Sequence, residues 1–190
     1  MNLSATKSPL AAVPHFADAF ASVEHLDLGP IKVKLMELEE GEGWTVAQVN
    51  AVEIWYKRFL YLNLKYPSDS VVPTKAIDTF WHYHILDTQK YFADCNKVFG
   101  AYFHHFPYFG MRGADDARAL SNAFDATTDL FLAEFGEPLS SLDKFFPAGD
   151  GASLSKYSKC KQGNCRSCRG SVCKSKVADQ ARPTFGAQTH

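Results

Sequence analysis

Four of the chain's seven histidines, His82, His84, His104 and His105, fall in one stretch, DTFWHYHILDTQKYFADCNKVFGAYFHH, running from Asp78 to His105. The same stretch carries Asp78, Asp87, Asp94, Cys95, Trp81 and three tyrosines. Neutral imidazoles and ionised carboxylates are ligands for zinc or iron, and two histidines with one carboxylate make the facial set of non-haem iron enzymes. Spacing decides which of these residues can meet. On a helix Asp78 and His82 are four apart and share a face. His82 and His84 are two apart and point about 200° from one another, so one ion cannot take both from a regular helix. The set that fits is Asp78 and His82 from the helix, with His105 or His104 arriving from the loop that follows. His84 joins only if the helix unwinds locally.

Around such a centre His84 or Asp87 would orient a ligand or carry a proton, and Tyr91 would donate a hydrogen bond to a bound group. An open position on the metal could then hydrolyse or oxidise a small-molecule or peptide substrate. The competing account has no ion. Trp81, His82, His84, Asp87, Tyr91 and His105 would form a buried hydrogen-bonded network that fixes helix packing, and the protein would be a non-enzymatic interaction module.

The elements that must position these groups read as helices throughout. Pro73 and Thr74 resemble a helix start, and Ile77, Phe80, Trp81, Ile85, Leu86, Phe92 and Val98 recur at helical spacing up to Gly100, which predicts one long helix over 74–99. Before it, Thr45 with Gln48 three residues on is a capping-box pattern opening an apolar run that Pro67 stops. Two shorter segments precede that run, over 15–23 and 31–40, the second expected to bury Ile31, Leu35 and Leu38. A further helix is expected over 115–135, closed by Gly136 and Pro138. No strong period-2 run occurs. The expected fold is all-α, a bundle of four or five helices over residues 15–146, behind a flexible lead over 1–14.

From about residue 147 the composition turns to Ser, Gly and Lys, with little to bury, and residues 147–190 are expected to be a disordered basic tail. Seven Lys and Arg and no acid lie between 156 and 176, against a net charge of −1 for the whole chain, so the remainder carries −8. Such a basic segment suits an acidic partner or nucleic acid, although Tyr157 alone there could stack on a base. The segment also holds Cys160, Cys165, Cys168 and Cys173, spaced C-x4-C-x2-C-x4-C, the right number of thiolates for one tetrahedral zinc. The alternatives are loose metal binding, pairing on oxidation, or an iron–sulfur order matched by the first three. Cys95, by contrast, reads as a small core residue. No apolar run reaches 18 residues, and the N-terminal residues make a poor signal peptide, so no membrane partner and a cytoplasmic setting with reduced thiols are expected. Nucleophile triads, phosphate-binding glycine loops and dinucleotide fingerprints are absent from the sequence, which leaves serine hydrolase, kinase and NAD-enzyme chemistry unsupported.

The positions Asp78, Trp81, His82, His84, Tyr91, Asp94, Cys95, Phe99, Gly100 and His105 together form a W-H-x-H … D-C … H pattern. This pattern resembles the core of the glycine-rich domain-containing protein-like family, found in plants and microbes. The resemblance spans about 70 residues around the central helix and implies no particular activity.

Overall fold

The computed structural model describes residues 16–146, with side chains from Phe20 onward. Expectations for residues 1–14 and 147–190, including those for the four clustered cysteines, lie outside the described residues. Among the described residues the fold is all-α, with six α-helices and one 3-10 helix and no strand. The α-helices are α1 (Phe16–Glu24), α2 (Gly29–Met36), α3 (Val46–Lys65), α4 (Lys75–Leu86), α5 (Thr88–Phe99) and α6 (Ala114–Phe135), and the 3-10 helix is Leu139–Phe145. None of these helices is long and apolar enough to cross a membrane.

Helix starts follow their caps. Thr45 accepts from the Gln48 amide at 3.3 Å while the Gln48 side chain accepts from the Thr45 amide at 2.7 Å, completing the capping box that opens α3. The other end of the Gln48 amide donates to the Phe145 carbonyl at 3.0 Å, pinning the 3-10 helix onto the start of α3. Thr74 caps α4 through the Ile77 amide.

Two expectations about helix extent fail. The single helix over 74–99 is two helices, because Asp87 takes a non-helical conformation, ends α4 and turns its carboxylate onto the Lys90 amide to cap α5. A short polar side chain that can bond the backbone three residues ahead competes with helix continuation, and here it wins. The break raises the α-helix count from four or five to six. It also removes Leu86 and Phe92 from the expected core stripe, and they stand 71% and 56% exposed. Likewise α2 stops at Met36, so Ile31 and Leu35 are buried while Leu38 lies beyond the helix in solvent.

The core is aromatic. Tyr56 and Phe59 of α3 face Phe80 and Trp81 of α4, with ring centroids 5.1 Å apart for both Tyr56–Phe80 and Phe59–Trp81. Trp55 stacks on Phe131 of α6, and the Val72 amide donates to Thr127, so α6 is held against both α3 and the turn that leads into α4. At the far end of α3 Lys65 and the Tyr66 hydroxyl both bond Glu134. The connection from α5 to α6 is shaped by Asp116, whose carboxylate accepts from the Gly110 and Arg112 amides and pairs with the Arg112 side chain. Gly110 holds φ +86, and a Cβ there would meet Leu120 at 2.5 Å, so this turn requires glycine.

Trp81 is fully buried at the centre of this packing. Trp81→Ala is therefore expected to lower stability by about 3–5 kcal/mol in denaturant unfolding. An unchanged midpoint would show that its ring is not part of the core.

Candidate metal centre

Asp78 lies in the first turn of α4, where the positive end of the helix favours a carboxylate, and it is 3% exposed. One turn on, His82 projects from the same face. From the connection after α5, His105 comes down onto the pair. One ligand atom from each of the three lies within 4.8 Å of the other two. His82 Nε2 is 2.9 Å from His105 Nε2, and His105 Nε2 is 3.2 Å from Asp78 Oδ1. His82 Nδ1 stands 3.8 Å from Asp78 Oδ2, beyond hydrogen-bond distance.

This packing poses a proton problem. A ring nitrogen offers either a hydrogen or a lone pair, never both. If His105 Nε2 carries the hydrogen, it must divide it between Asp78 and His82; if it carries the lone pair, that pair faces a carboxylate oxygen. A cation at the point of convergence accepts lone pairs from all three groups at once. Metal–ligand bonds of about 2.0–2.2 Å put adjacent ligand atoms about 2.8–3.1 Å apart at right angles and about 3.3–3.6 Å apart in a tetrahedron, and the 2.9 and 3.2 Å approaches to His105 Nε2 lie within that span. The His82 side chain is 19% exposed and that of His105 10%, so the centre sits at the edge of the core with one side toward solvent.

The remaining expected site residues go elsewhere. His84 lies on the opposite face of α4, as its spacing requires, and is 1% exposed. Its Nδ1 meets the Tyr56 hydroxyl at 2.9 Å and its Nε2 meets Asp94 at 3.0 Å, with Lys90 2.9 Å from the same Asp94 oxygen. Burial holds this imidazole below its usual range, against the opposing pull of Asp94. The neutral ring then donates through Nε2 to Asp94 and accepts at Nδ1 from Tyr56. Asp87 is exposed and occupied in capping α5, so it cannot orient a ligand or carry a proton at the centre. The hydroxyl of Tyr91 accepts from Trp81 Nε1 at 2.9 Å and donates to the Phe103 carbonyl, which leaves its proton committed within the core rather than available to a bound group. Of the two alternative loop ligands, His105 reaches the centre and His104 is exposed, its ring against Tyr102. Cys95 is buried and unpaired with another cysteine, and burial pushes its thiol up.

Asp78, His82 and His105 converge, whereas the single network of Trp81, His82, His84, Asp87, Tyr91 and His105 does not form: His84 bonds Tyr56 and Asp94, Trp81 bonds Tyr91, and Asp87 caps α5. Tyr56 and Asp94 were not singled out as partners of His84. Asp94 stands ten residues further on, across a helix break, and Tyr56 is 28 residues back on another helix, so only tertiary packing brings them together.

A family model described as UCP032817-like matches residues 30–128, just over half of the chain, and the chain belongs to that family. The match encloses all three converging residues. It also corrects the resemblance to the glycine-rich domain-containing protein-like family, which rested on ten scattered positions; those positions lie inside the UCP032817-like match. Neither a curated protein nor a solved structure matches the chain.

If Tyr56, His84 and Asp94 act as one buried network, Tyr56→Phe and His84→Ala should not add. A double-mutant cycle in urea unfolding is expected to give a coupling on the order of 0.5–3 kcal/mol. Strict additivity would mean that the two groups do not interact.

Proposed function

We propose that this member of the UCP032817-like family binds one zinc or iron ion through Asp78, His82 Nε2 and His105 Nε2, and that the ion serves an enzymatic site for a small molecule or peptide. The observation that carries the proposal is the approach of two imidazole nitrogens to 2.9 Å beside a buried carboxylate oxygen. Such a contact is satisfied more fully by one shared cation than by any distribution of protons. A metal held by three protein ligands keeps positions for water or substrate, and supplies a Lewis acid and an activated water there. The chain's own part is to hold the three ligand atoms on one side, with the Trp81 ring 4.6 Å from the His105 ring as an apolar wall.

Residues 147–190 enter the proposal as a separate basic segment behind a helical domain over 15–146. Its four cysteines would bind a second metal, and its charge would attract an acidic partner or nucleic acid. A cytoplasmic setting would keep those thiols reduced.

One observation favours the second account, a non-enzymatic interaction module. Trp81, His84, Tyr91 and Asp94 of the central stretch are spent on hydrogen bonds that join α3, α4, α5 and the following connection.

Elemental analysis separates the two. The full-length chain with Cys160, Cys165, Cys168 and Cys173 replaced by Ser, purified without added metal, is expected to retain about one equivalent of zinc or iron per chain, through three protein ligands of the kind a catalytic site uses. His82→Ala, and separately Asp78→Ala, should lose it. Metal content that is the same with and without His82 would overturn the proposed ligand set and favour the interaction module.

A further inference from the structure

His105 is delivered to the centre by the connection over 100–113, which forms no helix of its own, so its height above α4 must be set by contacts. Buried Phe103 and Phe106 flank His105 on the connection, and one hydroxyl links its backbone to α4. Trp81, adjacent in sequence to the ligand His82, donates its indole N–H to the Tyr91 oxygen at 2.9 Å. The Tyr91 hydroxyl in turn donates to the carbonyl of Phe103, two residues before His105. The Trp81 and Phe103 rings stack with centroids 5.0 Å apart and 17° between their planes, and the other side of this pairing brings Trp81 within 4.6 Å of the His105 ring. Tyr91 is 1% exposed, and burial keeps its phenol far above the ordinary range, so the proton it donates stays in place.

We propose that Tyr91 is the positioning residue of the metal centre: its hydroxyl ties the connection over 100–113 to α4 and so sets the spacing of the His82 and His105 ring nitrogens. The role rests on the proposed ligand set of Asp78, His82 and His105. Removing the hydroxyl leaves an indole N–H and a carbonyl buried without each other's bridge. Trp81 is anchored in α4 against Phe59, whereas the connection, though it buries Phe103 and Phe106, bears on solvent through Tyr102 and His104, so loss of the bridge falls on the connection. Ligand distances in metal sites keep within about 0.2 Å of their usual values, so a shift of the connection bears directly on the fit of His105. Tyr56 provides the comparison. It is a second fully buried phenol, but its hydroxyl is bonded to His84 on the opposite face of α4.

The test is a cobalt(II) titration of the full-length chain with the four clustered cysteines replaced by Ser and its resident metal first removed by a chelator, following both the dissociation constant and the ligand-field absorption at saturation. Tyr91→Phe is expected to weaken binding about 10–100-fold and to alter the saturated spectrum, as loss of an outer partner does at other metal centres. Tyr56→Phe, which also removes one buried hydroxyl, should leave both readouts unchanged. If Tyr91→Phe does not fold, Trp81→Phe removes the donor of the same bridge and should show the same loss. Unaltered affinity and spectrum in Tyr91→Phe, with binding abolished in His82→Ala, would overturn the positioning role and leave the ligand set standing. Binding that survives His82→Ala would overturn the ligand set and the positioning role together.

Discussion

Two imidazole nitrogens 2.9 Å apart, one of them 3.2 Å from a buried carboxylate oxygen, concentrate lone pairs at one point of the molecule. A shared proton or a cation must lie between these atoms, and the rest of the structure holds that point in place. Asp78 is put on the inner side of α4 by a Thr74 cap and by Ile77 and Trp81, which face the core around it. His82 follows from helical geometry. His105 needs the whole of α5 and the connection after it, because the chain must reverse and return.

The reversal depends on Asp87. Had α4 continued through it, residues 88–99 would point away from α3, and neither Tyr91 nor Asp94 could reach its partner. Breaking the helix there costs the burial of Leu86 and Phe92, both left in solvent. In exchange α5 folds back so that His84 is closed between Tyr56 and Asp94, and the Trp81 indole finds the Tyr91 oxygen. One helix thus serves two polar arrangements on opposite faces, Asp78 and His82 with His105 at the edge and His84 with Tyr56 and Asp94 inside. The buried imidazole of the second, held below its usual range, adds no charge to the interior.

How much of this was legible in the sequence follows from how local each cause is. The pairing of Asp78 with His82, and the separation of His84 from both, are properties of a single helix and could be read from spacing. The arrival of His105 needed only that the loop return. The capping box at Thr45 and the glycine stop at Gly100 were equally local. What sequence spacing could not supply was the break at Asp87, where a cap competes with an apolar periodicity that runs on as though the helix continued. Without that break His84 and Tyr91 read as groups serving a bound ion, or as members of one network with Asp87, and not as partners of Asp94 and Trp81. The Leu139–Phe145 helix was also missed, since what holds it is a long-range bond from Gln48. The family match, covering residues 30–128, carries no activity in its description, so the chemistry has to be argued from the centre itself.

The most direct measurement is anomalous scattering from crystals of the full-length chain, collected at the zinc and iron absorption edges. The account predicts one peak within about 2.0–2.2 Å of His82 Nε2, His105 Nε2 and an Asp78 oxygen. A map without density at that point, with the two ring nitrogens still at hydrogen-bond distance and every anomalous peak on the clustered cysteines, would contradict it.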